Sequence, residues 1–98
     1  MVETLQKAAL PPVTVTIPTG LVRLFPDCVA RTTVEAATVA AAIDALDAQW
    51  PGMRDRICDS RPAIRRHINV FVNGERATLD TPLPPNADML IMTAISGG

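Results

Sequence analysis

The sequence of 98 residues contains only two cysteines, one histidine and one lysine. The cysteines, Cys28 and Cys58, are far apart and form no Cys-x-x-Cys motif, and with His67 they do not make a zinc site. We therefore interpret both cysteines as lone apolar thiols, with a disulfide between them as the alternative. No bound metal is expected.

Long hydrophobic runs are also absent. No apolar stretch is long enough to span a bilayer, and no charged segment followed by an apolar leader opens the chain. The formal net charge is -1, with acidic and basic residues mixed along the chain, which gives no general attraction to nucleic acid or anionic lipid. We expect a cytoplasmic protein that binds neither nucleic acid nor membranes.

The overall composition is typical of one small folded domain. Hydrophobic residues make up 48% of the chain and charged residues 19%, enough for a single modest core. Residues 1–12 show no hydrophobic period and end in Pro11-Pro12, which predicts a flexible N-terminal lead. The folded domain is then expected over residues 13–98.

Alternating apolar residues predict two clear strands, 13–17 and 68–72. Asn73-Gly74 directly follows the second of these, and this dipeptide favours a tight type I′ turn with a returning strand over 75–79. We expect a last strand over 89–95. A further strand between residues 21 and 36, antiparallel to the first, is favoured by β-branched residues.

One helix is predicted between these strands. Thr38 is a suitable N-cap, and apolar residues from Val39 to Trp50 recur at helical spacing. A short helical turn is expected over 53–57, followed by a loop over 59–66. The order strand, strand, helix, strand, strand, strand indicates an α+β fold in which the helix covers one face of a small mixed sheet.

The opposite face of this sheet is predicted to expose three apolar side chains. If Met89 and Ile91 point toward the helix, Leu90 and Met92 point away from it together with Phe71, because side chains alternate along a strand. Such a group indicates a docking surface. The alternatives are that the N-terminal segment covers this face, or that the two faces are reversed.

The chain ends in Gly97-Gly98, directly after the last predicted strand and Ser96. Two glycines without side chains can lie extended in a narrow channel and present the terminal carboxylate to another protein. We therefore predict that this terminus is the reactive part of the molecule.

The ordered combination of four stretches resembles the small sulfur-carrier proteins of the ThiS and MoaD type, which have the ubiquitin-like β-grasp fold. These stretches are 13–19 (VTVTIPT), 50–57 (WPGMRDRI), 68–75 (INVFVNGE) and Gly97-Gly98. The stretch after the helix is most similar to the longer MoaD-like carriers of the cysteine-biosynthesis type. The resemblance implies a mixed sheet packed on one main helix.

The resemblance also implies a function and a set of partners. Gly98 would be adenylated by an E1-like adenylyltransferase of the MoeB or ThiF type and converted, by a persulfide or a sulfurtransferase, into a thiocarboxylate. That group would give its sulfur to an acceptor enzyme of cofactor, cysteine or metabolite biosynthesis. Gly97 would give access to the channel, and Phe71, Leu90, Met92 and Ile95 would contact the partner. The chain itself would be no enzyme and would bind no cofactor, since the activating enzyme uses the ATP.

Two other functions stay open. The chain could be a ubiquitin-like modifier joined through Gly98 to lysines of target proteins, although Lys7, the only lysine, lies in the lead and gives no acceptor for polymeric chains on the folded domain. It could also be a plain binding module that uses the Phe71 face alone. Arg65, Arg66 and His67 are either a solvated strand edge or a contact with an acidic patch on the activating enzyme.

Overall fold

The computed structural model describes residues 11–93. Its elements are β1 (Pro12–Thr16), α1 (Thr19–Val22), β2 (Arg31–Glu35), α2 (Val39–Gln49), α3 (Met53–Ile57), β3 (Cys58–Asp59), β4 (Ala63–Ile64), β5 (Ile68–Val72), β6 (Glu75–Arg76) and β7 (Asp88–Thr93). Five strands form one sheet in the order β2-β1-β7-β5-β6, and β3 pairs with β4 separately. The pair β1–β7 is parallel and the other pairs are antiparallel. This is the α+β, β-grasp architecture that the sequence predicts.

The inner face of the sheet carries the alternating apolar residues of its central strands. Val13 and Val15 in β1, Val70 in β5, and Met89 and Ile91 in β7 are each at most 1% exposed. The strand alternation seen in the sequence is therefore the division between core and surface.

The main helix, α2, closes this face of the sheet. The side-chain oxygen of Thr38 accepts a hydrogen bond from the backbone N–H of Ala41 at 3.2 Å, which confirms the predicted N-cap. Val39, Ile43 and Leu46 are fully buried on the sheet side. No helix within residues 11–93 is long and apolar enough to cross a bilayer.

Gly52 joins α2 to α3 in a left-handed conformation, with a φ of 103°. The side chain of Asp47 fixes this junction, because its Oδ1 accepts hydrogen bonds from the backbone N–H groups of Gly52 (3.1 Å) and Arg54 (2.9 Å). A Cβ at position 52 would lie 3.3 Å from Cε1 of Phe25. Glycine is thus favoured here by both conformation and space.

The predicted tight turn after β5 is confirmed. Asn73 and Gly74 both have positive φ, 50° and 86°, as a type I′ turn requires. Asn73 is also tied to the start of β7, since its N–H donates to the Asp88 carbonyl at 2.8 Å and its Oδ1 accepts from the Asp88 N–H at 2.9 Å. These bonds fix the register of β7 beside β5.

Three stretches differ from the sequence prediction. The predicted loop over 59–66 contains the short hairpin β3–β4, and α1 was not predicted at all. The returning strand ends at Arg76 instead of residue 79. Its pairing stops after the Ala77 N–H donates to the Val70 carbonyl, because the Leu79 carbonyl then accepts from the Ala40 N–H at the start of α2.

The predicted domain limits lie partly outside the described residues. Residues 1–10 of the predicted lead and residues 94–98 of the predicted domain are not among residues 11–93. The division into a lead over 1–12 and a domain over 13–98 therefore stays a prediction.

Candidate functional site

The face of the sheet away from α2 exposes an apolar group in its centre, which we call the open-face patch and define as Phe71, Leu90 and Met92. Leu90 is 38% exposed, Met92 is 44% exposed and Phe71 is half-buried. With Gly74 and Asp88 they line a shallow hollow of about 380 Å³. The structure thus brings together three of the predicted partner-binding residues.

Strand pairing explains why these side chains meet. Phe71 lies opposite Leu90 in the antiparallel pair β5–β7, and Asn69 lies opposite Met92. Because Met89 and Ile91 point into the core, the residues between and after them point outward. The alternative in which the two faces are reversed is therefore wrong.

Two arginines lie at the two ends of a row that crosses the patch. The register gives, from one edge of the sheet to the other, Arg76, Phe71, Leu90, Thr16 and Arg31. Arg76 donates a hydrogen bond to the side chain of Asn69. Sequence reasoning missed both arginines, because they come together only once the strand order is known.

The predicted reactive terminus lies just beyond the described residues. Gly97, Gly98 and Ile95 are outside residues 11–93, and Thr93, the last described residue, pairs with Ile68 at the end of β7. Chain geometry limits the five residues 94–98 to a reach of about 17 Å from Thr93. Any atom that reacts with Gly98 must come within that distance of the end of β7.

Neither cysteine has the surroundings of a reactive thiol. Cys28 and Cys58 are both free, and the side chain of Cys58 is buried. Burial raises the pKa of Cys58 above its ordinary value, against a smaller opposing effect of Arg54, and burial also raises the pKa of Cys28. A raised pKa leaves little thiolate at neutral pH. The interpretation as lone apolar thiols is confirmed for this structure.

Two ion pairs lie elsewhere on the described surface. Arg61 donates two side-chain hydrogen bonds to Asp59, at 2.6 and 2.9 Å, and these bonds lower the pKa of Asp59 to about 2. Arg54 pairs with Asp44 at 2.6 Å. His67 is exposed beside the start of β5. Within residues 11–93, no three His, Cys, Asp or Glu side chains cluster as metal ligands would.

The family of the chain follows from a match over most of its length. The model of the ThiS family matches residues 23–98, from the end of α1 through Gly97-Gly98. The chain belongs to the ThiS family. It is therefore a small protein of the ubiquitin-like carrier and modifier group and not an enzyme, as the sequence predicts.

Known proteins with similar sequences and structures fall in the same group. Small archaeal modifier protein 1 of Haloferax volcanii is 34% identical over 62 residues, which cover 63% of this chain and 71% of that protein. A chain of the Amycolatopsis orientalis BexX/CysO complex matches with a TM-score of 0.78 and 29% identity, over 88% of this chain and 99% of that one. Mycobacterium tuberculosis CysO matches with a TM-score of 0.75 and 27% identity, over 85% and 99%. The ThiS-family chain thus has relatives of both the carrier and the modifier kind.

Proposed function

We propose that this ThiS-family protein is a sulfur carrier whose sulfur is held on the C-terminal carboxyl group of Gly98. The observation that carries the proposal is the family match that runs through Gly97-Gly98. The open-face patch beside β7 supports it, because an exposed apolar group close to the terminus suits a protein that docks while its end is processed. The role of the chain is then to bind partner enzymes and to present its C-terminal Gly98 to them.

The chemistry of a carboxylate sets the order of steps. An oxygen of the Gly98 carboxylate attacks the α-phosphorus of ATP, held by an E1-like adenylyltransferase of the MoeB or ThiF type, and pyrophosphate leaves. The terminal sulfur of a donor persulfide, such as one on a sulfurtransferase, then attacks the acyl carbon, and AMP leaves. A second thiol attacks the donor sulfur of this acyl disulfide, which frees the thiocarboxylate and leaves a disulfide between the two thiols. This sequence puts the difficult activation on the enzyme.

The thiocarboxylate formed on Gly98 can pass its sulfur to another enzyme. A thiocarboxylate is a soft nucleophile, so an acceptor enzyme of cofactor, cysteine or metabolite biosynthesis can take its sulfur. We place this exchange in the cytoplasm, where thiols stay reduced. The free state of Cys28 and Cys58 agrees with that compartment.

The test is the intact mass of the protein after reaction. Incubation of the full chain with a MoeB- or ThiF-type enzyme from the same genome, ATP and a persulfide donor should replace one oxygen by one sulfur, and fragmentation should place the change on Gly98. Omission of ATP is the control and should leave the mass unchanged. An unchanged mass with every such enzyme of that genome would contradict the proposal.

A modifier role is the second candidate, favoured by the 34% identity to small archaeal modifier protein 1. In that case the acyl-adenylate is attacked by a lysine amine, and an isopeptide bond forms in place of the thiocarboxylate. Gly-Gly remnants on lysines of other proteins after proteolysis would support this candidate. A chain that gains sulfur but leaves no such remnants would limit it to the carrier role.

The open-face patch should contribute to docking on the activating enzyme. We expect Leu90→Ser to weaken binding to that enzyme about tenfold, because serine cannot make the apolar contact that the exposed Leu90 side chain makes in the interface. Surface plasmon resonance without ATP measures the change.

Val29→Ser is the matched control, since Val29 is 49% exposed and lies in the loop before β2. It should bind like the wild type. Equal losses for both variants would show that the patch has no special part in docking.

A further inference from the structure

The eight arginines of the chain are unequal in their surroundings. Arg54 and Arg61 form ion pairs with Asp44 and Asp59, each at 2.6 Å. Arg65 donates from Nε to the Asp55 carbonyl at 2.9 Å, and Arg76 donates to Asn69. For the other four, residues 11–93 provide no carboxylate within ion-pairing distance; these four are Arg23, Arg31, Arg56 and Arg66, and all are exposed.

These four arginines lie at one end of the molecule, which we call the basic pole. Arg31 begins β2 opposite Thr16, the last residue of β1. Arg66 precedes β5, whose first residue pairs with Thr93. Since β1 and β7 run parallel, both arginines lie toward the end of the sheet where residues 94–98 leave.

A groove at the basic pole is lined by residues of α1 and α3 together with the end of β7. Arg56 of α3 and Thr93 both line it, together with Leu21 of α1 and the half-exposed Leu24. Asp55 and Arg65 line it as well, so the groove holds one carboxylate beside two arginines. Arg23 follows α1 directly. Arg56 and Arg66 therefore lie beside the point at which the C-terminal segment begins, and Arg23 and Arg31 lie farther out on the same end of the molecule.

The opposite end of the sheet carries the reverse charge. Glu35 at the end of β2 pairs with Pro12, and Asp88 at the start of β7 pairs with Thr14. Asp80 lies in the connection that bonds to the start of α2. Arg31 and Glu35 are four residues apart in one strand, or about 13 Å. The charges that make up the net charge of -1 are thus unevenly distributed, with the four exposed arginines toward the basic pole and these three carboxylates toward the opposite end.

We propose that the basic pole binds an acidic surface around the entrance of the channel through which a partner enzyme receives Gly97-Gly98. The inference rests on the proposed carrier function. Exposed guanidinium groups that are not engaged by a described carboxylate are free to form bidentate hydrogen bonds with carboxylates of another protein. The row from Arg31 across Leu90 makes the basic pole continuous with the open-face patch, so a single partner surface contacts both.

The arrangement orients the carrier as it approaches. The Debye length is about 8 Å at physiological ionic strength, so an acidic partner surface attracts the near basic pole and is screened from the acidic end. The attraction turns Gly98 toward the channel before contact. Charges at the rim of an interface act mainly on the association rate and its salt dependence.

The experiment measures binding of the full chain to the MoeB- or ThiF-type enzyme without ATP, so that no bond is made. We expect Arg56→Gln/Arg66→Gln to lower the association rate constant about tenfold at low salt, with the difference disappearing near 1 M salt, where the Debye length is about 3 Å. Arg61→Gln is the control, because the charge of Arg61 is already paired with Asp59. It should bind like the wild type.

Two results would overturn the proposal: equal association rates for the double variant and the wild type at low salt, or an equal loss in Arg61→Gln. Binding of the wild type to anionic vesicles but not to the enzyme would also overturn it. A separate measurement of Gly98 adenylation, by pyrophosphate release, distinguishes failure of this proposal from failure of the carrier function. If Gly98 is adenylated but binding does not depend on the arginines, the carrier function stands and the acidic partner surface is refuted. If binding depends on the arginines but Gly98 is not adenylated, the acidic partner surface stands and the carrier function is refuted.

Discussion

Deletion of Gly97 and Gly98 should abolish adenylation and leave the fold intact. The carboxylate of the shortened chain ends at Ser96, about 7 Å short of its former reach and with a side chain at the position that must enter the channel. The core is made by residues within 13–91 and contains neither glycine. Pyrophosphate release by the activating enzyme measures the loss, and thermal unfolding measures the stability.

Ser96→Ala is the matched control for this deletion, because it changes the same segment but keeps both terminal glycines. It should be adenylated at a rate close to that of the wild type. A plain binding module would give another result: the shortened chain would still bind all its partners and lose no function. Adenylation of the shortened chain at the normal rate would also refute the role of Gly98.

The second large effect is expected in the core. Leu46→Ala should lower the free energy of unfolding by about 2–5 kcal/mol, because Leu46 is fully buried between α2 and the sheet and its removal leaves a cavity. A domain of this size has about 5–15 kcal/mol in total. The melting temperature should fall by at least about 10 °C.

Gln49→Ala on the same helix is the control for Leu46→Ala. Gln49 is exposed in the last turn of α2, so its replacement should change the free energy of unfolding by less than about 0.5 kcal/mol. Urea unfolding of both variants gives the two values. A loss below about 1 kcal/mol for Leu46→Ala would mean that the core can close over the missing side chain.

The sequence predicts the parts of the fold that repeat a simple period. The alternation over 68–72 and the apolar spacing in α2 each identify one element, because one face of that element must be buried. The hairpin β3–β4 has only two residues in each strand, too few for a period. The early end of β6 depends on a bond between the Leu79 carbonyl and the N–H of Ala40, two residues that are distant in sequence.

The candidate site also has a part that the sequence predicts and a part that it does not. Phe71, Leu90 and Met92 could be predicted as neighbours, since alternation fixes their face and the β-grasp resemblance places their strands side by side. Arg31 and Arg56 could not be placed, because the row that joins Arg31 to Leu90 depends on the parallel pairing of β1 with β7, and the position of Arg56 beside Thr93 depends on the packing of α3. The role of Gly98 was predicted from its position and the resemblance, and it stays a proposal.

The central position of β7 has a mechanical consequence. This strand is hydrogen-bonded to β1 on one side and to β5 on the other. A pull on Gly98 along the strand therefore loads both rows of hydrogen bonds in shear, all at the same time, whereas an edge strand would peel away bond by bond. The proposed carrier function, in which Gly97-Gly98 enters the channel of a partner enzyme, would thus put force on the C-terminus without unfolding the sheet strand by strand.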